Sequence, residues 1–532
     1  MTTQKRTRVP TRFFVLFALC GAVVLFGFFL TPYFTARPGH DQTSYLFEAG
    51  RVLSGIEPYG SRLTEVSPPP IIWFSAIPVL LARWIHGSPI LFLRLLVVAI
   101  SFGSVAWCVK ILRRGTAMTN PFSIGLLACA ILAIEFCIGP YNFGQRENLL
   151  VILLLPYVLA VASGAAYRLS LVERCGLGVA AGLAIWFKPQ DTLILVGLEL
   201  FLAIRARGLR RILTPEFLAL TLTSLSVLIV VRVAAPLYIT GMLPLLVDTY
   251  WAFGTMTTSA LALSHWFYML QVLALVLACF AFRRVLRDSP TSMALLACSF
   301  AGFVAFALQH TDWWYHAYPH QALFILALSY FVADLFYPFF DRQLSSPPLL
   351  RRASMAASAC VVVLLSFIAV VPNTIIALGT HSGKFALDDY LAQYDPSTTV
   401  YVFSTREAAL SFAYNRGLNW GSRFAHLWMM PAIIQNELGP TGPPAPFKRL
   451  PPETLVKLAS LQHRESAQDL NYWQPTVVLV ERCDLDHPCQ GIEGKEFDML
   501  SWFLRSPEFA AEWSHYQRET EVDNFVVYKR VQ

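Results

Sequence analysis

Apolar runs long enough to cross a bilayer, which takes roughly 20 residues as a helix, recur along the first 378 residues of this chain. They predict helices at 12–33, 90–112, 122–139, 147–165, 175–189, 191–206, 213–235, 261–282, 290–309, 319–340 and 354–376, about eleven transmembrane spans in all. The polar connections between them alternate in kind. Basic clusters at Lys5–Arg12, Lys110–Arg114, Arg168–Arg174, Arg205–Arg211, Arg283–Arg287 and Arg342–Arg352 fall at every second connection. An excess of Lys and Arg marks cytoplasmic loops, so the N-terminus is expected inside and the remaining connections outside. The first run is too long for a signal peptide and reads as an uncleaved anchor.

Ser67 to Gly87 is apolar enough for a further span, but counting it would place Lys110, Arg113 and Arg114 outside. Residues 34–89 are therefore read as one external loop whose second half lies against the membrane. Its triple proline, Pro68-Pro69-Pro70, suits the start of a helix, where missing amide donors cost little. Beyond Leu378 the pattern becomes that of a soluble domain, residues 379–532. Val400-Tyr401-Val402-Phe403, Val477-Val478-Leu479-Val480 and Phe525-Val526-Val527-Tyr528 read as strands, and Gly439–Pro452 as a loop. The expected fold class is an all-α polytopic membrane domain over residues 1–378, followed by a small α/β domain on the outer side.

Composition agrees. Of 532 residues, 55% are hydrophobic and 14% charged, and the mean hydropathy is +0.51, far from a soluble balance of about a quarter charged. A net charge of +7 would suggest a nucleic-acid partner in a soluble protein. Here the basic residues sit between apolar runs and act as topology determinants, so no nucleic acid is expected. Cys483 and Cys489 flank a polar loop in the outer domain, where a disulfide is favoured over a metal pair.

Four polar clusters from distant parts of the chain fall on the outer face. The first is His40-Asp41, followed by Tyr45, Glu48 and Tyr59; a carboxylate at the bilayer edge is a candidate general base. The second comprises Tyr141, Asn142 and the tetrad Gln145-Arg146-Glu147-Asn148. Polar residues at a helix mouth must pair or face a cavity, Arg146 offers a planar fork for phosphate, and Glu147 offers a carboxylate for a hydroxyl or a divalent ion. The third, Lys188-Pro189-Gln190-Asp191, breaks an apolar stretch and sets a cation at the interface, where snorkelling to headgroups is the alternative. The fourth runs from Gln309 to His316. Its His310 and His316 flank Asp312, and Trp313, Trp314 and Tyr315 suit a sugar ring, a prenyl chain or an interfacial belt.

The order of these features resembles the GT-C superfamily of integral-membrane glycosyltransferases, which includes protein O-mannosyltransferases and the aminoarabinose transferase of lipid A. The resemblance rests on Asp41 after the first span, on Leu53-Ser54-Gly55-Ile56-Glu57-Pro58-Tyr59, on the Pro-led helix of the first external loop, and on an outer domain after the last span. The Gln145–Asn148 tetrad, together with Asn419-Trp420-Gly421-Ser422-Arg423-Phe424, resembles uncharacterised bacterial members. It implies a multi-pass protein of the bacterial cytoplasmic (inner) membrane with a periplasmic C-terminal domain. It also implies a polyprenyl-phosphate-linked sugar as donor and a glycan, lipid or protein as acceptor.

The resemblance carries a catalytic role onto Asp41; the polar clusters add Glu147 as a second catalytic residue, with His40, Tyr59, Gln145, Arg146, Asn148, Lys188, Gln190, His310, Trp314 and His316 expected to bind substrate. Asp41 would take the acceptor proton, and Arg146 and Lys188 would meet the departing lipid phosphate. The family pattern has adjacent acids where this chain has His40-Asp41, a departure that weakens the case for a divalent cation (Mg2+ or Mn2+), for which no ligand set is defined. Two rival classes remain: a secondary transporter, which would place its polar groups at the midplane of related halves, and an O-antigen ligase or polymerase.

Overall fold

The computed structural model describes Phe34 and residues 38–115, 121–137, 143–208, 213–286, 289–344, 386–406, 408–440 and 445–531. The spans expected at 12–33 and 354–376, together with Tyr141 and Asn142, lie outside the described residues, as does part of Gly439–Pro452.

The helices of the first part are α1 (His40–Val52), α2 (Pro69–Ile85), α3 (Pro89–Arg114), α4 (Pro121–Cys137), α5 (Arg146–Ala162), α6 (Leu171–Phe187) and α7 (Thr192–Ala206). They continue with α8 (Pro215–Ala234), α9 (Leu243–Thr249), α10 (Thr258–Ser264), α11 (Trp266–Ala281), α12 (Ser289–Ala307) and α13 (Tyr318–Leu344). Every expected span within the described residues coincides with one of these helices or, at 261–282, with the α10–α11 pair. Among the described residues, four helical stretches, Pro89–Arg114, Pro215–Ala234, Pro290–Ala307 and Trp314–Tyr337, are long and apolar enough to cross a membrane. A fifth results if α10 and α11, bent by 64° at a short break, form one span.

Local chemistry sets the helix ends. Ser88 caps α3 by accepting from the Leu91 amide, and Ser170 with Glu173 forms a capping box at the start of α6. The triple proline opens α2, with Pro68 in extended backbone ahead of it. α6 packs closely on α8 because Gly178 and Gly182, one turn apart, carry no side chain. A Cβ at Gly178 would run into the Glu216 carbonyl, and one at Gly182 would meet Thr223.

The C-terminal part holds β1 (Thr399–Phe403), β2 (Asn419–Trp420), β3 (Val477–Glu481), β4 (Tyr516–Val522) and β5 (Phe525–Arg530) in one mixed sheet of order β2-β1-β3-β5-β4. β1 pairs in parallel with β2 and β3, with Val400 opposite Val477, while β5 runs antiparallel to β3 and β4. The three strands expected from sequence are β1, β3 and β5. β2 is two residues long, and β4 carries exposed polar side chains from Gln517 to Glu521 on the sheet edge, so neither shows an apolar run. Flanking this sheet are short helices and one long helix, Pro452–Trp473.

One buried apolar cluster joins the two parts. It includes Tyr45 and Leu46 of α1, Leu149 and Ile152 of α5, Phe187 and Phe253, and continues into Phe424, Trp428, Met430 and Trp502. Hydrogen bonds follow the same path. Arg51 donates to the carbonyls of Trp420 (2.8 Å) and Ser422 (2.6 Å), and the Thr64 amide donates to the Arg423 carbonyl at 3.1 Å.

Candidate active site

A cavity of about 590 Å³ opens where the two parts meet. Its walls come from the start of α1 (His40, Asp41, Tyr45), the start of α5 (Arg146), the turn after α6 (Lys188, Gln190) and the segment before α13 (Thr311 to His316). Tyr250 and Phe253 supply an aromatic side, and Arg406, His426 and Gln490 come from the C-terminal part.

α1 presents Asp41 and Tyr45 one turn apart, on the same helical face. Gln42 Nε2 donates to the Phe143 carbonyl and so ties α1 to the turn leading into α5. Asp41 Oδ1 lies 3.3 Å from His40 Nε2, and Asp41 Oδ2 is buried without a hydrogen-bond partner. The Arg146 guanidinium lies 5.9 Å from the centre of the Tyr45 ring, with its Nε buried and unpartnered.

Glu147 is the meeting point of three of the sequence clusters. Lys188 Nζ lies 2.6 Å from Glu147 Oε1, both side chains being 1% exposed, and His316 Nε2 lies 3.5 Å from the same oxygen. Thr311 Oγ1 and His316 Nδ1 are 2.6 Å apart, which holds the imidazole in place. Lys188 is therefore not a snorkelling lysine. Pro189 ends α6 beside it, and the buried carboxylate of Glu147 is its partner. Trp313 stacks beside Tyr315 with ring centres 5.8 Å apart and contacts His316 at 5.3 Å, so this aromatic run faces inward around the site.

The cavity wall thus gathers His40, Asp41, Arg146, Lys188, Gln190, Trp314 and His316. Glu147 sits behind Lys188. Tyr59, Gln145, Asn148 and His310 are not on the wall. Tyr59 donates its hydroxyl to the Ser67 carbonyl at 2.6 Å. Asn148 accepts from the Gly144 amide and donates to the Glu135 carbonyl and the Tyr318 hydroxyl, closing the turn before α5. His310 sits at φ 60° and its carbonyl accepts from the Thr255 and Met256 amides, pinning two connections together. Gln145 is fully buried as the residue preceding α5.

Arg406, His426, Gln490, Tyr250 and Phe253 were not singled out from the sequence. Arg406 follows the carboxyl end of β1, where ligands of parallel sheets commonly bind, and His426 lies two residues beyond the Asn419–Phe424 motif; these were the available signals. Burial pushes the His426 imidazole down to about 3, with His40 adding to the effect. His426 is therefore neutral near pH 7. Cys483 and Cys489 form a disulfide, and Gln490 follows it directly.

The acids here do not make a cation site. Asp41 is beside His40, Glu147 is paired with Lys188, and Asp312 Oδ1 is 2.5 Å from His265 Nε2. Among the described residues, one group of three His, Cys, Asp or Glu side chains is close enough to share an ion, namely Glu481, Cys483 and Cys489. Its two sulfurs are bonded to each other. No step proposed below runs through a metal.

No family model and no curated protein matches this sequence. Among solved structures, ArnT from Cupriavidus metallidurans bound to undecaprenyl phosphate is similar over 98% of each chain, with TM-score 0.52 and 15% identity. Its apo state gives TM-score 0.56 and 15% identity over 96% of this chain and 98% of ArnT. The chain shares its fold with ArnT. At 15% identity the likeness is one of architecture, carried across both the helical part and the C-terminal sheet. Several helices of this fold have the length and hydropathy to cross a bilayer, as expected of a multi-pass membrane protein.

Proposed function

We propose that this chain is a membrane glycosyltransferase that moves a sugar from a polyprenyl-phosphate donor to an acceptor on the outer, periplasmic face of the bacterial inner membrane. In this reading residues 1–378 form the membrane domain and residues 379–532 the periplasmic one. The cavity carries the argument: it sets an acid with a buried unpartnered oxygen, Asp41, in one chamber with the cations Arg146 and Lys188 at the edge of apolar helices. The undecaprenyl phosphate bound by ArnT, a protein of the same fold, supports a lipid phosphate as donor carrier.

The reaction then follows from the positions. Asp41 takes the proton of the acceptor hydroxyl as that oxygen bonds to the anomeric carbon. The bond from that carbon to the phosphate oxygen breaks, and its electron pair leaves with the lipid phosphate. Arg146 meets the growing negative charge through its fork of donors, and Lys188 adds a second cation held in place by Glu147. His316 completes the support of Glu147. Trp313, Trp314 and Tyr250 offer faces for the sugar ring, and the C-terminal part closes the chamber with His426, Arg406 and Gln490.

The test uses the purified full chain in lipid nanodiscs, radiolabelled polyprenyl-phosphate sugars and an envelope extract as acceptor. Transfer by the wild type and its loss in Asp41→Asn support the proposal. Equal transfer by both removes Asp41 from the mechanism, and solute uptake into vesicles that is lost in Glu147→Gln would replace the proposal with a transporter.

A further inference from the structure

Two acids that take no part in the mechanism above lie beneath the cavity, Glu48 on α1 and Glu65 in the connection to α2. Both are buried, at 0% and 1% exposure. Glu48 lies two turns along α1 from Asp41, and its Oε1 accepts from Ser44 Oγ at 3.0 Å and from Ser67 Oγ at 2.8 Å. Ser67 is itself on the cavity wall. Glu65 Oε1 accepts from the Ala425 amide, next to His426 of the same wall. The second oxygen of each, Oε2, is buried with no hydrogen-bond partner. Two ionised carboxylates in that position would leave two buried oxygens without donors, and burying unpaired charge is among the costliest arrangements in a protein.

We propose that Glu48 and Glu65 both keep their protons at neutral pH, and that this neutral pair is a positioning device which locks Ser67 and the His426 segment onto the cavity. The pair bridges the first loop, which carries the proposed base, and the C-terminal part, which closes the chamber. Loss of a proton would leave a buried, uncompensated charge at the junction and loosen both walls. Burial pushes the Glu48 carboxyl up to about 8, opposed by the two serine hydroxyls and by Arg146 and reinforced by Asp41. Burial and then Glu48 push Glu65 well above the usual carboxylate range, against the Ala425 and Val66 amides and Arg51.

The other groups facing the pair are accounted for. On α1 they are Asp41 and Arg51, and at the start of α5 Arg146. Tyr59 lies beside both acids, with Tyr238 packed on it at 5.0 Å between ring centres. From the C-terminal part, Asp469, Tyr472 and Arg423 face Arg51.

The role in positioning rests on the glycosyltransferase reading, so the experiment has two arms. Gln is the conservative variant, since its amide accepts from Ser44 and Ser67 and supplies a donor at every pH. In the transfer assay, wild-type activity should fall above pH 8 by about tenfold per pH unit, as expected for loss of one proton. Glu48→Gln should keep neutral-pH activity and lose that alkaline fall, while Glu48→Ala should raise the KM at all pH values. An unchanged alkaline fall in Glu48→Gln, or a Gln variant as impaired as the Ala variant at pH 7, overturns the proposal.

The second arm needs no activity. Thermal stability of wild type and Glu48→Gln is followed from pH 4 to 9. A carboxyl that keeps its proton when folded but loses it when unfolded costs stability as pH rises from 4.5 to about 8. Wild type should therefore lose stability relative to Glu48→Gln across that window and run parallel to it above. Parallel profiles throughout overturn the protonated pair. Absence of transfer by wild type at every pH would instead sink the glycosyltransferase reading, leaving the stability arm to decide the pair.

Discussion

Lys188 Nζ sits 2.6 Å from Glu147 Oε1 with both side chains sealed from solvent, although 41 residues separate them in sequence. A buried pair of this kind is costly to break, because the remaining partner keeps its charge without compensation. Lys188→Met or Glu147→Leu alone should cost about 3–5 kcal/mol, and the double substitution markedly less. Thermal unfolding in detergent checks this; single losses that simply add in the double variant would rule out the pair as a unit.

Asp41→Asn should lower transfer by about 10²- to 10⁴-fold, the span expected for losing a positioned general base. Binding of undecaprenyl phosphate should stay within a small factor of wild type. A variant that instead loses lipid binding with its turnover intact would make Asp41 a binding residue.

Arg146 is expected to act through geometry as well as charge. Arg146→Ala should weaken undecaprenyl phosphate binding by about 1.5–3 kcal/mol, the range for a hydrogen bond to a charged group. Arg146→Lys keeps the charge without the two-pronged fork, so it should recover part of that loss at most. Titration of the lipid phosphate against the three proteins gives the answer, and equal affinity in all three would clear Arg146 of this role.

His426 predicts an acid response. Its folded value is about 3 against 6.5 ordinarily, so the unfolded chain takes up a proton first as pH falls below 6.5. Stability is present in full above pH 6.5 and is lost at up to about 1.4 kcal/mol per pH unit down towards pH 3. Replacing His426 by Gln should flatten that part of the stability profile. A profile of unchanged slope would show that other groups set it.

The disulfide closes a loop whose ends are six positions apart, and Gln490 and Arg406 both depend on that loop. Arg406 donates to the Pro488 carbonyl inside it and is paired with Glu481 at 3.1 Å. Replacing both cysteines by serine should cost about 2 kcal/mol, as expected for so short a loop. It should also raise the acceptor KM more than it lowers kcat, because Arg406 and Gln490 lose their fixed place on the wall. Unfolding curves and steady-state transfer kinetics separate the two effects.

Much of the helical part was legible from hydropathy, because a bilayer-length apolar run admits few structures other than a helix. The α1 helix was not read in advance. Its inward face, Asp41, Tyr45 and Glu48, has helical spacing but is polar, and that pattern is usually a solvated face. β4 and β2 were missed for a related reason: an exposed edge strand and a two-residue strand carry no apolar alternation. At the site, Asn148, His310 and Tyr59 had the chemistry expected of ligands, yet local turn geometry takes up their polar groups.

Hydropathy and charge placement along the chain were enough to read a multi-span helical part, a less apolar C-terminal part, and four polar clusters in places where polarity is expensive. Those are properties of each segment and its solvent, and they can be read one window at a time. Which carboxylate neutralises Lys188, which histidine faces the chamber and which residues of the sheet domain close it were decided by the convergence of the starts of α1 and α5, the turn after α6 and the segment before α13 with the C-terminal part. Ion pairs and cavities depend on distances of a few ångströms between side chains far apart in sequence, and no local pattern carries that information.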